Sequence, residues 1–450
     1  MQVEETLDIN ISYNSRHFID RPIEVRSDSI SLSAILSHVF QRDTVPFKIL
    51  GKQLVIYNLD QIPLNCYQSS YGSIHDAFTG QALDHVNITE VQTGFRTVSN
   101  SEGRFHMEIP CGYDSLEMII SIPGYRQVYL KTVSNNHIGK ILMEGSYVSL
   151  QEVIVRGVSA QEIIQMSYDR IKENYLDEEA NANAFFREAI FRNKKLARLS
   201  EGAFRVHGQP YGRHAGEDRF SIRKSRRIAN RSLLDTLEFK IKGSLKSCLE
   251  LDIVKNRPAF FSGLASLEHY DYYYKDLLSD GEKSQYVIGF RRKPKSSELP
   301  YQGQLIIDSE SLAISSLTFE LNIKELRSLK NPFVVKASRR FKVALKSTNY
   351  FVSYVTVSDR LAINYVSLET DYRVKRRKGP FSVKYKTQSE LLINSYSIED
   401  VKKITRSDAF PIGHIFLEEP IILDDSYWEG FGLIPLEQSL LKASKMLKAQ

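Results

Sequence analysis

From Asn181 to Tyr396 the chain repeats one pattern: long runs in which apolar and polar residues alternate, separated by short turn-rich breaks. The runs NANAFFREAIFRNKKLARLSEGAFRV, SQYVIGFRRK, YQGQLIID, LAISSLTFELN, RRFKVALKSTNYFV, LAINYVSLETDYRVKRRK and FSVKYKTQSELLINSY carry a period of two. That spacing puts successive side chains on opposite faces of a strand and cannot hold one face of a helix. Gly303, the pair Asp308 and Ser309, and the pair Gly379 and Pro380 supply reversals between runs. The pattern therefore predicts one large antiparallel sheet. Twenty-four Tyr and 23 Phe against a single Trp point the same way, since aromatic and β-branched residues favour strands.

Helical spacing flanks this region. SAQEIIQMSYDRIKENY places Ile163, Ile164, Tyr168 and Ile171 on one face, with Ser159 as a cap, and WEGFGLIPLEQSLLKASKML predicts a loop and a terminal helix with Pro435 near its start. At 450 residues the chain is too long for one ordinary core, so several domains are expected. Residues 1–150 hold 11 basic against 16 acidic residues, leaving 49 against 38 beyond, a split that fits separate domains and a basic part able to approach an anionic surface. Before the large sheet, residues 9–57 read as strand, helix, strand, strand. IEVRS from Ile23 alternates, SISLSAILSHVF has Ile30, Ala34, Leu36 and Phe40 on a helical face with Ser29 or Ser31 as cap, and FKILGKQLVIY turns at Gly51 and Lys52. Residues 63–71 read as a linker, and the segment after it has short apolar runs broken by Gly, Asn and Ser, as a small antiparallel sandwich requires.

Three resemblances follow from these segments. NISYNSRHFIDRPIEV, SLSAILSHVF and FKILGKQLVIY resemble the secretin and TonB amino-terminal domain (residues 1–60), whose opening helix is almost absent here. A trimmed or misplaced start would account for that gap and for the lack of an export signal in the first ten residues. Asp76, Thr79, Gly80, Val86, Ser101, Gly103, Phe105 and the IPGY at 122–125 resemble the carboxypeptidase regulatory-like domain (residues 71–145), a transthyretin-like sandwich that carries no peptidase chemistry. SLQEVIVRG at 149–157 is similar to the strand that follows this module in outer-membrane receptors of the Bacteroidota. The chain left after Gly157 is too short for a 22-stranded transporter at about 10 residues per strand plus loops. Instead the helix at 160–175, AFFRE at 184–188, LDIVKNRPAFF at 251–261 and YQGQLIIDSESLAI at 301–314 resemble the third part (residues 160–450) of Bacteroidota envelope proteins named for the regulatory-like domain. The last segment is also similar to strands of half-barrel lipoprotein carriers. The resulting class is α+β, mostly β: a small α/β domain, a transthyretin-like sandwich and a large antiparallel sheet with flanking helices.

No constellation for catalysis stands out. His214 and Glu217 form an H-x-x-E, two of the three ligands of a zinc peptidase, but His269 and His414 have no supporting motif, and QPYGRHAGEDR reads as a solvated loop. Nucleophile elbows, Walker loops and dinucleotide fingerprints are absent. The neighbours Glu418 and Glu419, and Asp424 and Asp425, lack the rhythm of a calcium loop. Two basic runs, 219–231 and 372–386, read as a Lys- and Arg-protected sheet margin, with contact to anionic lipid or a partner as the alternative. HYDYYYKD at 269–276 reads as a core strand rather than a stacking platform. Cys66, Cys111 and Cys248 are too few for a disulfide framework and read as small buried side chains.

These readings, with the resemblances, imply a non-enzymatic binding or interaction protein with no catalytic residue, metal or cofactor, in the periplasm or at the outer membrane. Its expected partners are envelope proteins, with lipid or an anionic membrane surface as a further one and nucleic acid excluded. A lipophilic-ligand carrier is the alternative, with Ile306, Leu317 and Phe319 lining a groove around the helix at 160–175; a metal-dependent peptidase through His214 and Glu217 is the remote one.

Overall fold

The structure is a computed structural model of the chain. It describes residues 67–113, 115–133, 137–146, 157–212, 217–230, 244–279, 283–326, 340–379, 381–411 and 434–438 with Leu440 and Lys442, and the backbone of strands at 10–12, 47–50, 53–56, 239–241 and 334–337. The chain is α+β and mostly β. Strands β1 (Asn10–Ser12), β2 (Phe47–Leu50) and β3 (Gln53–Ile56) form a small sheet in which β2 and β3 are an antiparallel hairpin and β1 runs parallel to β3. The helix expected at 31–40 lies outside the described residues.

A sandwich follows. One sheet is ordered β10 (His137–Met143), β4 (Tyr67–Asp76), β7 (Arg104–Pro110); the other is β6 (Arg96–Val98), β5 (Asn87–Glu90), β8 (Ser115–Ser121), β9 (Val128–Val133). Alternation along these strands sends Ile74, Ile88, Phe105, Met107, Leu116, Met118 and Ile120 into one core between the sheets. Asp76 explains the D-x-x-T-G spacing. One carboxylate oxygen accepts from the Thr79 and Phe78 amides and the Thr79 hydroxyl, and the other accepts from Tyr125 at 2.9 Å, so the turn is tied to the distant IPGY segment. The Thr79 amide and the Tyr125 hydroxyl hold this carboxyl below the usual range. Gly103 has φ +72°, and a Cβ there would stand 2.4 Å from the Ile74 carbonyl oxygen, so only glycine fits. Cys111 is disulfide-bonded, contrary to its reading as a free buried side chain, whereas Cys248 is free and buried.

Helix α1 (Ala160–Asp169) opens with a complete capping box: the Ser159 hydroxyl accepts from the Glu162 amide, and the Glu162 carboxylate accepts from the Ser159 amide. A short α2 (Ile171–Asn174) leads into the large sheet. Its strands are β11 (Ala180–Arg192), β12 (Lys195–Gly208), β13 (Arg219–Ala229), β15 (Tyr270–Ser279), β16 (Ser284–Arg292), β17 (Tyr301–Asp308), β18 (Ile314–Leu321), β20 (Phe341–Val357), β21 (Arg360–Arg376) and β22 (Ser382–Ser397). A separate pair, β14 (Phe239–Ile241) and β19 (Val334–Ala337), stands apart from it. The order β13-β12-β11-β22-β21-β20-β18-β17-β16-β15 is antiparallel at every neighbour. The chain thus runs outward from β11 to the β13 edge, crosses to the opposite edge at β15, and returns to close against β11 through β22. The crossing is made by α3 (Ser244–Glu250), α4 (Ile253–Asn256), a 3-10 turn (Ala259–Phe261) and α5 (Leu264–His269). A last short helix, α6 (Ile323–Leu326), follows β18. No helix among the described residues is long and apolar enough to cross a membrane.

Strand β11 is buried on both faces. Phe186 and Ile190 join the core under the crossing helices, while Phe185, Arg187 and Ala189 point to the other side. Arg187 is the centre of a buried ion network. Its Nε donates to Glu201 at 2.7 Å, its Nη1 lies 3.4 Å from Glu390, and its Nη2 donates to the Ile434 carbonyl at 2.6 Å. Arg226 bonds the other Glu201 oxygen, and the Tyr365 hydroxyl donates to Glu390 at 2.7 Å. Burial alone would raise the Glu201 carboxyl, but Arg187 and Arg226 outweigh it and hold it below the ordinary range. The stability this pairing contributes is therefore present above the unfolded carboxyl range and lost as pH falls through the depressed value. Glu201→Gln leaves a buried guanidinium uncompensated and is expected to cost about 3–5 kcal/mol. Urea denaturation at neutral pH measures this; a loss below about 1 kcal/mol would mean that the network does not hold the sheet.

Candidate functional site

The sheet has two faces, which differ in the space they leave for a ligand. On the helix-covered face, Asp252 caps α4 and is buried. Its carboxylate accepts from Tyr211 of the β12–β13 connection and from Tyr354 of β20, both at 2.9 Å. Lys255, one turn on, pairs with Asp218 at 2.9 Å and lies over the Tyr211 ring. Behind this lock, Phe260 stacks on Phe290 at 4.7 Å between centroids and meets Tyr270, Tyr301 and Phe319. Phe260 is 1% exposed and Phe261 and Phe290 are 0% exposed, so the space is occupied by the chain's own aromatic rings. Leu317 and Phe319 point into this filled core as expected. Ile306 does not: Leu305 and Ile307 face inward, and Ile306, opposite Ser316, lies on the other side.

That other side carries the sandwich. Arg96 donates to the Thr356 carbonyl at 2.9 Å, Asn364 donates to Asn87 at 2.7 Å, and the His85 ring stacks on Phe351 at 4.2 Å between centroids, with the planes 10° from parallel. Residues 434–438 complete the joint: Asn100 donates to the Pro435 carbonyl, Arg104 to the Leu436 carbonyl and Ser101 to Glu437. Val98 of the sandwich shares a small core with Phe185, Tyr365, Leu392 and Ile434. Two spaces lie along this seam, with His85 and Phe351 in the wall of both.

The smaller, about 260 Å³, is bordered by Asp84, Glu369, Glu390, Glu437 and Arg187. Burial, with Glu437 and Glu369 nearby, raises the Asp84 carboxyl to about 6, and burial lowers the His85 imidazole to about 4. The larger, about 510 Å³, opens between the β8–β9 connection of the sandwich and the β17–β18 turn. Its walls carry Asn87, Ser121, Gln127, Gln285, Ser315 and Ser353, with Tyr125 and Phe351 as ring surfaces. This volume falls within the roughly 300–1,000 Å³ of small-molecule sites, and hydroxyls and amides outnumber apolar groups in its wall. The arrangement suits a polar ligand or a short peptide segment better than an acyl chain.

The residues singled out from the sequence are scattered. Glu217 is exposed, while His214, His414, Glu418, Glu419, Asp424 and Asp425 lie outside the described residues; His269 ends α5, near Ser296. No group of three His, Cys, Asp or Glu that could hold a metal occurs among the described residues. Tyr270 and Tyr272 are core residues of β15, whereas Tyr273 is 44% exposed. The first basic run is the edge strand β13, but it is largely engaged: Arg219 donates to the Ile404 carbonyl and Arg226 to Glu201. The second forms the end of the β21–β22 hairpin, as its alternation up to Gly379 and Pro380 suits, but these are interior strands, so only its reading as a sheet edge is corrected. The seam went unread because its walls come from segments hundreds of residues apart.

No protein-family model matches the chain, and no curated protein matches it. Among solved structures, it is similar to a DUF1329 family protein from Desulfovibrio piger (11% identity, TM-score 0.23, 54% of this chain and 95% of that one). It is also similar to a LolA superfamily protein from Nitrosomonas europaea (11% identity, TM-score 0.19, 55% and 99%). A candidate membrane-associated protein of unknown function from Bacteroides fragilis aligns at 10% identity with a TM-score of 0.15 (74% and 99%). Likeness at this level carries no argument about what the chain does.

The seam has a pH signature. Because the folded state holds the Asp84 proton up to about 6, ionising it costs stability as pH rises from about 4 to about 6, and the cost persists above. Asp84→Asn removes that cost while its amide oxygen can still accept from the His85 backbone. The variant should melt at a higher temperature than the native chain near pH ~7 and no differently below about pH 4. The Asp84 side chain is 40% exposed, so equal melting at both pH values would mean that solvent screens the shift away.

Proposed function

We propose that this chain is a non-enzymatic binding protein of the cell envelope, accessory to outer-membrane uptake or signalling assemblies, and that it engages its partner or ligand through the seam between sandwich and sheet. The observation that carries this reading is the pairing of a filled face with an open one. The face that a carrier would use is packed with Phe260, Phe261 and Phe290, while the seam keeps a polar cleft of about 510 Å³. The envelope setting draws support from the disulfide at Cys111, since such bonds persist in oxidising compartments. It also draws on the resemblance of Asp76, Thr79, Gly80 and Gly103 to the regulatory-like module, at positions whose geometry is now explained by the turn they build. Absence of a catalytic role is part of the proposal.

The test is native mass spectrometry of the full chain after exposure to an envelope extract, with Gln285→Trp as a variant that narrows the cleft. Protein or polar small-molecule adducts are expected, weakened at least about tenfold by Gln285→Trp. A phospholipid or lipoprotein acyl group retained equally by both forms would instead support a carrier of a lipophilic ligand.

A further inference from the structure

One end of the large sheet carries positive charge in a pattern that costs the fold stability. Registered pairing sets Lys342 of β20 directly opposite Lys375 of β21, and Arg373 of β21 directly opposite Lys384 of β22. All four are exposed. Like charges facing each other across neighbouring strands destabilise a sheet, and nothing in the fold requires them here. The next turn adds to the cluster. Asn193 of the β11–β12 hairpin bonds the Lys384 backbone in both directions, bringing Lys194 and Lys195 alongside. The Arg377 amide donates to the Arg340 carbonyl, placing those two residues together at the same end. The sequence holds no Asp or Glu within 192–199, 340–346 or 372–386, and of the hairpin's cations Lys386 is paired, with Glu369 at 3.1 Å.

An aromatic ring stands at the tip. Phe381 immediately precedes β22 and is 85% exposed, although the same hairpin buries Tyr372, Val374 and Tyr385 a few residues away. An exposed Phe at the apex of a cationic hairpin costs solvation with no gain inside the monomer. A surface offering both anionic groups and an apolar layer beneath them relieves both costs at once. A protein partner of ordinary surface composition would satisfy the charges or the ring, but it would need an acidic patch surrounding an apolar pocket.

We infer that this end of the sheet, with Phe381 at its apex, is a docking surface for an anionic phospholipid bilayer. This rests on the envelope reading for its setting but not for its physics, since binding to vesicles needs no other component.

The experiment is co-sedimentation of the full chain with vesicles of phosphatidylcholine alone or with about a third phosphatidylglycerol. Binding is expected only to the anionic vesicles and is expected to fade as salt shortens the screening length from about 10 Å to about 3 Å. Removing charge by Arg373→Gln together with Lys375→Gln should lower partitioning about fivefold per charge. Phe381→Ser should weaken it at high and low salt alike. Both changes relieve strain or exposure in the monomer, so the variants are expected to fold at least as well as the native chain. Equal binding to neutral and anionic vesicles, no binding to either, or binding indifferent to these substitutions overturns the inference. If vesicle binding fails while Gln285→Trp still blocks envelope adducts, the docking surface alone is wrong; if adducts also fail, the envelope reading goes with it.

Discussion

Everything in the large domain follows from one topological constraint: the chain leaves the ten-stranded sheet at β13 and must re-enter it at β15, the opposite edge. At about 4.8 Å per strand this is a journey of roughly 40 Å, and it runs over one face of the sheet. Backbone that crosses a buried face must satisfy its own amides and carbonyls. Residues 244–269 do so by coiling into three short helices and a 3-10 turn, and by driving Ile253, Val254, Phe260 and Phe261 against the inward residues of the strands beneath. The buried Asp252 fixes the middle of the crossing through two tyrosine hydroxyls, one from the β12–β13 connection and one from β20. Burial raises its carboxyl, and those hydroxyls with Lys255 limit the penalty.

With that face spent on the crossing, the remaining face is free to receive the sandwich. The joint is polar at its rim and charged at its centre. Arg187 reaches from β11 to two carboxylates and to the Ile434 carbonyl, so a strand in the middle of the sheet, the strands beside it and the carboxy-terminal segment meet at one guanidinium. The cleft left along this joint exists because a small sandwich cannot cover a ten-stranded sheet. Its shape is therefore set by how the two bodies meet rather than by any one of its residues.

This division explains what could be read from the sequence. Period-two runs marked SQYVIGFRRK, YQGQLIID and FSVKYKTQSELLINSY as strands, and Ser159 marked the start of α1, because these signals are local. The facing of Ile306 was not legible: Leu305, Ile306 and Ile307 form an unbroken apolar run, and only pairing with Leu317, Ser316 and Ile314 decides which of them turns inward. LDIVKNRPAFF was legible only as a resemblance, since nothing local says that it caps a helix at Asp252 and crosses a sheet. The seam was beyond reach for the same reason, since His85 meets Phe351 only once both bodies are folded. The cationic hairpin was visible as a basic run, whereas the opposition of Lys342 to Lys375 required the register.

The central claim is that residues 244–269 are a permanent part of the core rather than a stopper that yields to a ligand. Native-state amide hydrogen exchange tests it most directly, by comparing Ile253–Phe261 with the paired centres of β20 and β21. The expected result is that the amides of this segment exchange only with global unfolding, at the same free energy as those strands. Exchange of the segment through a separate, lower-energy opening while β20 and β21 stay protected would contradict it and return the helix-covered face to the candidates for ligand binding.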